Sequence, residues 1–113
     1  RYAPAMVLWH GRLHVMGGSR EDRYTASTDH WSLGVNGAES ENAWRAEKPI
    51  PLGATHRPGI ILNDMLYLVG GQAGDFIPMP GSACYECTGQ TQETYFADLL
   101  RLKAPDEGWE RMA

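Results

Sequence analysis

Cys84-Tyr85-Glu86-Cys87 is the first place in this sequence where residue types and spacing could do chemistry. Two thiols separated by two residues suit a redox couple or half of a zinc site. A thioredoxin-like couple needs a βαβ frame and a helix behind the second cysteine, and neither is legible here. Zinc takes about four ligands. Nothing near Cys84 supplies two more, and the nearest histidine in sequence is His56. Unbonded thiols, a disulfide and a metal site all stay open for this pair, and no metal ligand is assigned. Two cysteines are also too few for a disulfide scaffold.

The histidines are His10, His14, His30 and His56. Only His10 and His14 have ligand-like spacing. They flank a predicted hairpin turn, so their side chains could lie close. The plainer reading is one turn histidine and one strand histidine. The glycine pairs Gly17-Gly18 and Gly70-Gly71 lack the Lys-Ser/Thr and the helix that a phosphate cradle needs. They read instead as places where the backbone crowds or takes unusual φ/ψ. No G-x-S-x-G and no His-Glu-x-x-His occurs. No catalytic residue and no cofactor are therefore assigned.

The elements that must position these residues come from an internal repeat. Tyr2–Gly18 aligns with Thr55–Gly71 without a gap, at an offset of 53 residues. Val7-Leu8-Trp9 matches Ile60-Ile61-Leu62, and Leu13-His14-Val15-Met16 matches Leu66-Tyr67-Leu68-Val69. Each half reads as a hairpin around His10-Gly11 or Asn63-Asp64, residue types that tolerate positive φ. The runs are apolar at nearly every position, which predicts strands covered on both faces.

A third strand is expected at Asp29–Val35 and again at Asp98–Ala104. A fourth is expected at Trp44–Glu47 and Trp109–Met112. No segment carries a helical apolar stripe. The units predicted are residues 1–53 and 54–113. The loops behind the glycine pairs differ most: Ser19–Thr28 is short and polar, whereas Gln72–Tyr95 is long and carries both cysteines.

The bulk properties exclude more than they assign. The 113 residues carry a net charge of −4, and Lys and Arg form no run, so no nucleic-acid footprint is present. No apolar stretch approaches the roughly 20 residues that span a bilayer.

Apolar strands ending in Gly-Gly, a later Asp-x-apolar-x-Leu strand and a closing Trp together resemble kelch repeats. The resemblance implies an all-β fold: two four-stranded antiparallel blades of a kelch-type β-propeller. The pattern departs in two places: Trp31 of the first copy is matched by Leu100, and the spacing from the glycine pair to the closing Trp differs, Gly18 to Trp44 against Gly71 to Trp109. Leu8–Ser19 and Gly70–Phe76 also resemble plant kelch-repeat proteins with an N-terminal membrane anchor, which implies a membrane-anchored, secretory-pathway parent protein. The residues themselves leave the compartment open. Trp31, Trp44 and Trp109 occupy repeat positions; Trp9 does not, but its repeat partner is Leu62, so all four are expected in blade packing.

A propeller usually has about four to eight blades. Two blades leave two outer faces bare, so a partial propeller is expected, completed by further blades of the same chain or by oligomerisation. The resemblance implies binding of a protein or peptide through rim loops without catalysis. Candidate rim residues are Ser19, Arg20, Arg23, Tyr24, His56, Arg57, Gln72 and Asp75. The alternative is part of a galactose-oxidase-like or carbohydrate-directed enzyme whose active residues lie elsewhere. Such an oxidase needs a Tyr–Cys crosslink, two His and another Tyr on copper. Cys84, Tyr85, Tyr95 and the histidines are the right types, but nothing in the sequence makes them converge.

Overall fold

The computed structural model describes residues 3–21, 25–37, 40–74 and 94–112. The described residues are all-β. The first sheet contains β1 (Ala5–Trp9), β2 (Arg12–Met16), β3 (His30–Gly34) and β4 (Arg45–Ala46), in that spatial order. The second contains β5 (Gly59–Leu62), β6 (Met65–Val69), β9 (Leu99–Leu102) and β10 (Glu110–Arg111), again ordered from inner to outer strand. Between β6 and β9 lies a small pair, β7 (Gln72–Ala73) with β8 (Thr94–Tyr95). Every pairing is antiparallel.

The hairpin turns behave as their residue types require. His10 and Gly11 have φ of 51° and 71°, and Asn63 and Asp64 have 51° and 60°. Positive φ at both central residues is the type I′ geometry, whose twist matches the flanking strands. The two turns meet, with His10 Nε2 at 3.5 Å from an Asp64 carboxylate oxygen.

Strand alternation gives each blade two faces. In the first blade, Ala5, Val7, Trp9, His14, Met16, His30 and Ser32 share one face and are buried. In the second, Leu66, Leu68, Leu100 and Leu102 share the face turned toward them and are at most 1% exposed. A Cβ on Gly59 would sit 2.9 Å from Val7 Cγ1, which shows how closely β5 lies against β1. The hydrophobic core is therefore the layer between the blades, with Ile50 of the connecting segment and the partly buried Ile61 and Trp109 packed into it.

The outward faces correct the expectation that Trp31 and Trp44 pack. Met6 and Leu8 are 57% and 65% exposed, and Ile60 and Leu62 are 53% and 55% exposed: these are the outer faces that two blades were expected to leave bare. Trp31 and Trp44 are also exposed, not packed. Trp109, which matches Trp44 in the repeat, packs on the face that the first blade covers. Trp44 belongs to the corresponding face of the first blade, which no described blade covers. Sequence period alone cannot show whether a neighbouring blade is there.

Candidate functional site

The glycine pairs join the blades at one end. Gly17, Gly18, Gly70 and Gly71 all have positive φ, from 64° to 96°. Gly17 N–H donates to Asp29 O, and Gly70 N–H donates to Asp98 O, the same bond in each repeat. Gly18 N–H donates to Ala54 O at 2.9 Å, linking the first blade to the entry segment of the second.

From these glycines a backbone ladder runs across the rim. Ser19 bridges Ala26, and Ser27 N–H donates to Gly18 O. Thr55 and Gln72 exchange N–H···O bonds of 2.7 and 3.0 Å. Gln72 pairs Tyr95 within β7–β8, and Phe96 N–H donates to Gly71 O. Segments of both blades thus converge at one end: Ser19, Thr55-His56, Gln72 and Thr94-Tyr95.

Among the expected rim residues, Arg20 and His56 are exposed and Gln72 is half-buried. His56 sits at φ 52°, with its ring Nδ1 3.1 Å from Thr55 Oγ1. Ser19 and Arg57 are buried, not displayed. Arg57 Nε donates to Gly70 O at 2.9 Å and Nη1 to Leu52 O at 2.6 Å, so it ties the glycine pair to the entry segment. Burial lowers its pKa, and Asp98 acts against that. Arg23, Tyr24, Asp75 and the two cysteines lie outside the described residues. Tyr95 was not singled out for the rim by sequence, yet it is 71% exposed there. Its place at the far end of a long loop hid its pairing with Gln72.

A second cluster is buried between the blades, and sequence spacing did not disclose it. His14 and His30 are 16 residues apart but share a face across β2–β3, with Nδ1 of His14 2.8 Å from Nε2 of His30. His30 Nδ1 lies 3.2 Å from Lys48 O, which can only accept. Neutral His30 therefore carries its proton on Nδ1, and His14 Nδ1–H donates to His30 Nε2. His14 Nε2 is left as a buried lone pair without a donor. Rings of Trp9 and Trp109 flank the pair, at centroid distances of 5.5 Å to His14 and 6.1 Å to His30. Desolvation, helped by the neighbouring His30, pushes His14 down to about 4; burial lowers His30 as well.

Below this pair runs a charged network. Arg12 Nε donates to Ser32 Oγ, whose hydroxyl donates to Glu47 at 2.6 Å, and Arg45 pairs the same carboxylate. Burial alone would raise Glu47, but Ser32 and Arg45 together lower it. Arg12 also grips Glu41 with two bonds of 2.7 and 3.0 Å, which with the Gly34 N–H holds that carboxyl at about 2. Among the described residues no three His, Cys, Asp or Glu side chains form a group that could hold a metal.

Trp109 offers a direct check on this layer. Its Nε1–H is buried without an acceptor, a cost of about 1–3 kcal/mol. Trp109→Phe keeps an aromatic ring beside His30 and removes the orphan donor. It is expected to change stability by less than about 1 kcal/mol in urea unfolding. Trp109→Ala removes the ring and is expected to cost about 3 kcal/mol.

No protein-family model matches the chain. It is 45% identical over 102 residues to the kelch repeat-containing protein At3g27220 of Arabidopsis thaliana, covering 87% of this chain and 24% of that protein. The chain thus spans about a quarter of the length of this curated relative. Among solved structures, that of YjhT matches 98% of this chain and 26% of its own, with a TM-score of 0.63 and 12% identity, a likeness of fold alone.

Proposed function

The chain is a kelch-repeat segment, two adjoining β-propeller blades, and from that premise we propose that it is a non-catalytic scaffold binding a protein or peptide at its rim. The observation carrying this reading is the ladder that gathers Ser19, His56, Gln72 and Tyr95 from both blades at one end. A rigid scaffold under loops is the usual setting for recognition. Exposed Arg20, His56 and Tyr95 are the contact residues proposed. Tyrosine and arginine are the residue types that dominate binding hot spots. Ser19 and Arg57 act instead as its internal frame. The bare faces around Leu8 and Leu62 are proposed to receive further blades.

Selection of peptides from a random library against the chain tests the rim. Selected peptides are expected to lose at least about tenfold in affinity on Tyr95→Ser or Arg20→Ser. Binders indifferent to both substitutions, or a library that yields none, would remove the rim reading.

A further inference from the structure

We propose that the buried His14–His30 pair is an acid-operated latch between the two blades. The pair lies on the first blade's inner face, in the layer where Leu66, Leu68 and Trp109 of the second blade pack. Its hydrogen bonds have one direction only: His14 Nδ1–H to His30 Nε2, then His30 Nδ1–H to Lys48 O. His14 Nε2 is the one ring nitrogen left open. A proton arriving there creates a cation on a side chain with no solvent exposure; the Trp9 backbone carbonyl favours that cation, but desolvation outweighs it. A second proton, on His30 Nε2, sets N–H against N–H across 2.8 Å and ends the bond.

The charged groups acting on the pair do not reverse this. Arg12 on β2 disfavours a cation at His14. Glu47, beyond β4, favours one at both rings, but that carboxylate is already paired with Arg45 and Ser32. The group that the second blade brings to His30 is the uncharged Trp109 ring. Desolvation is the largest influence on both histidines.

The direction with pH follows. Both folded pKa values lie below the ordinary 6.5, so the unfolded chain takes protons first. The latch is fully closed above pH 6.5 and is drained as pH falls from there to about 4. For His14 alone this weakens folding on the order of a hundredfold over that span. The carboxylates act elsewhere: Glu41, Glu47 and Glu110 are all lowered from 4.5, so their contribution is lost below that value. The Gly18–Ala54 bond crosses the same junction and is also a rung of the rim. Opening the latch would therefore disturb the rim; this consequence alone rests on the binding reading.

The test is urea unfolding of the whole chain between pH 7 and 4.5. The wild-type folding constant is expected to fall on the order of a hundredfold. Replacing the pair by the residues at matched positions of the second repeat, His14→Tyr with His30→Leu (as Tyr67 and Leu99), is expected to flatten that profile. Should this variant fail to fold, wild-type imidazole signals followed by NMR decide alone. His14 and His30 should both titrate below the ordinary 6.5, and hydrogen exchange at the Gly18 amide should accelerate as they protonate. A flat wild-type profile, a variant that falls as steeply as wild type, or pair signals that titrate near 6.5 with the fold intact would overturn the latch.

Discussion

Replacing Gly17 with alanine is expected to cost about 3 kcal/mol of unfolding free energy, a large part of the roughly 5–15 kcal/mol that holds a small domain folded. Two effects add. At φ 69° an L-residue pays about 1–2 kcal/mol for the left-handed backbone. The new Cβ would also stand 2.7 Å from the Ala54 carbonyl oxygen, so one of them must move. That carbonyl accepts the Gly18 N–H, so its displacement weakens the bond joining the blades. Gly37→Ala is the control: φ there is 53° and nothing lies within 4 Å of the added carbon. It is expected to cost about 1 kcal/mol. Equal losses for the two variants would mean that close approach to Ala54 carries no energy.

Leu68→Ala is expected to cost about 3–4 kcal/mol, whereas Leu62→Ala should stay within about 1 kcal/mol. Both leucines lie in the central hairpin of the second blade, on opposite faces. Leu68 has no solvent exposure and is part of the layer between the blades, so its truncation leaves a cavity. Leu62 is 55% exposed and has much less buried surface to lose. Urea midpoints of the two variants measure the difference directly. A Leu62→Ala loss as large as that of Leu68→Ala would mean that another copy covers that face in solution.

These substitutions mark where sequence and structure part. The repeat, the hairpins and the turns were legible because each depends on neighbours in the chain. His10-Gly11 and Asn63-Asp64 could be read as turns since positive φ is a demand on residue type. The same holds for Gly17-Gly18 and Gly70-Gly71. Arg57 was legible as a charge near the rim but not as a buried clamp, because its partners Gly70 O and Leu52 O are brought to it by folding. Trp44 and Trp109 occupy equal repeat positions and differ in exposure because only one of them faces a blade.

The sequence by itself determined the antiparallel strands of the two blades and the turns that join their hairpins. Only the tertiary structure decided which face of each blade is covered, which rim residues are displayed, and that two histidines far apart in the chain share one buried bond. Strand periodicity assigns a side chain to a face but is silent on what lies opposite. Burial, pairing and shifted protonation all depend on what lies opposite.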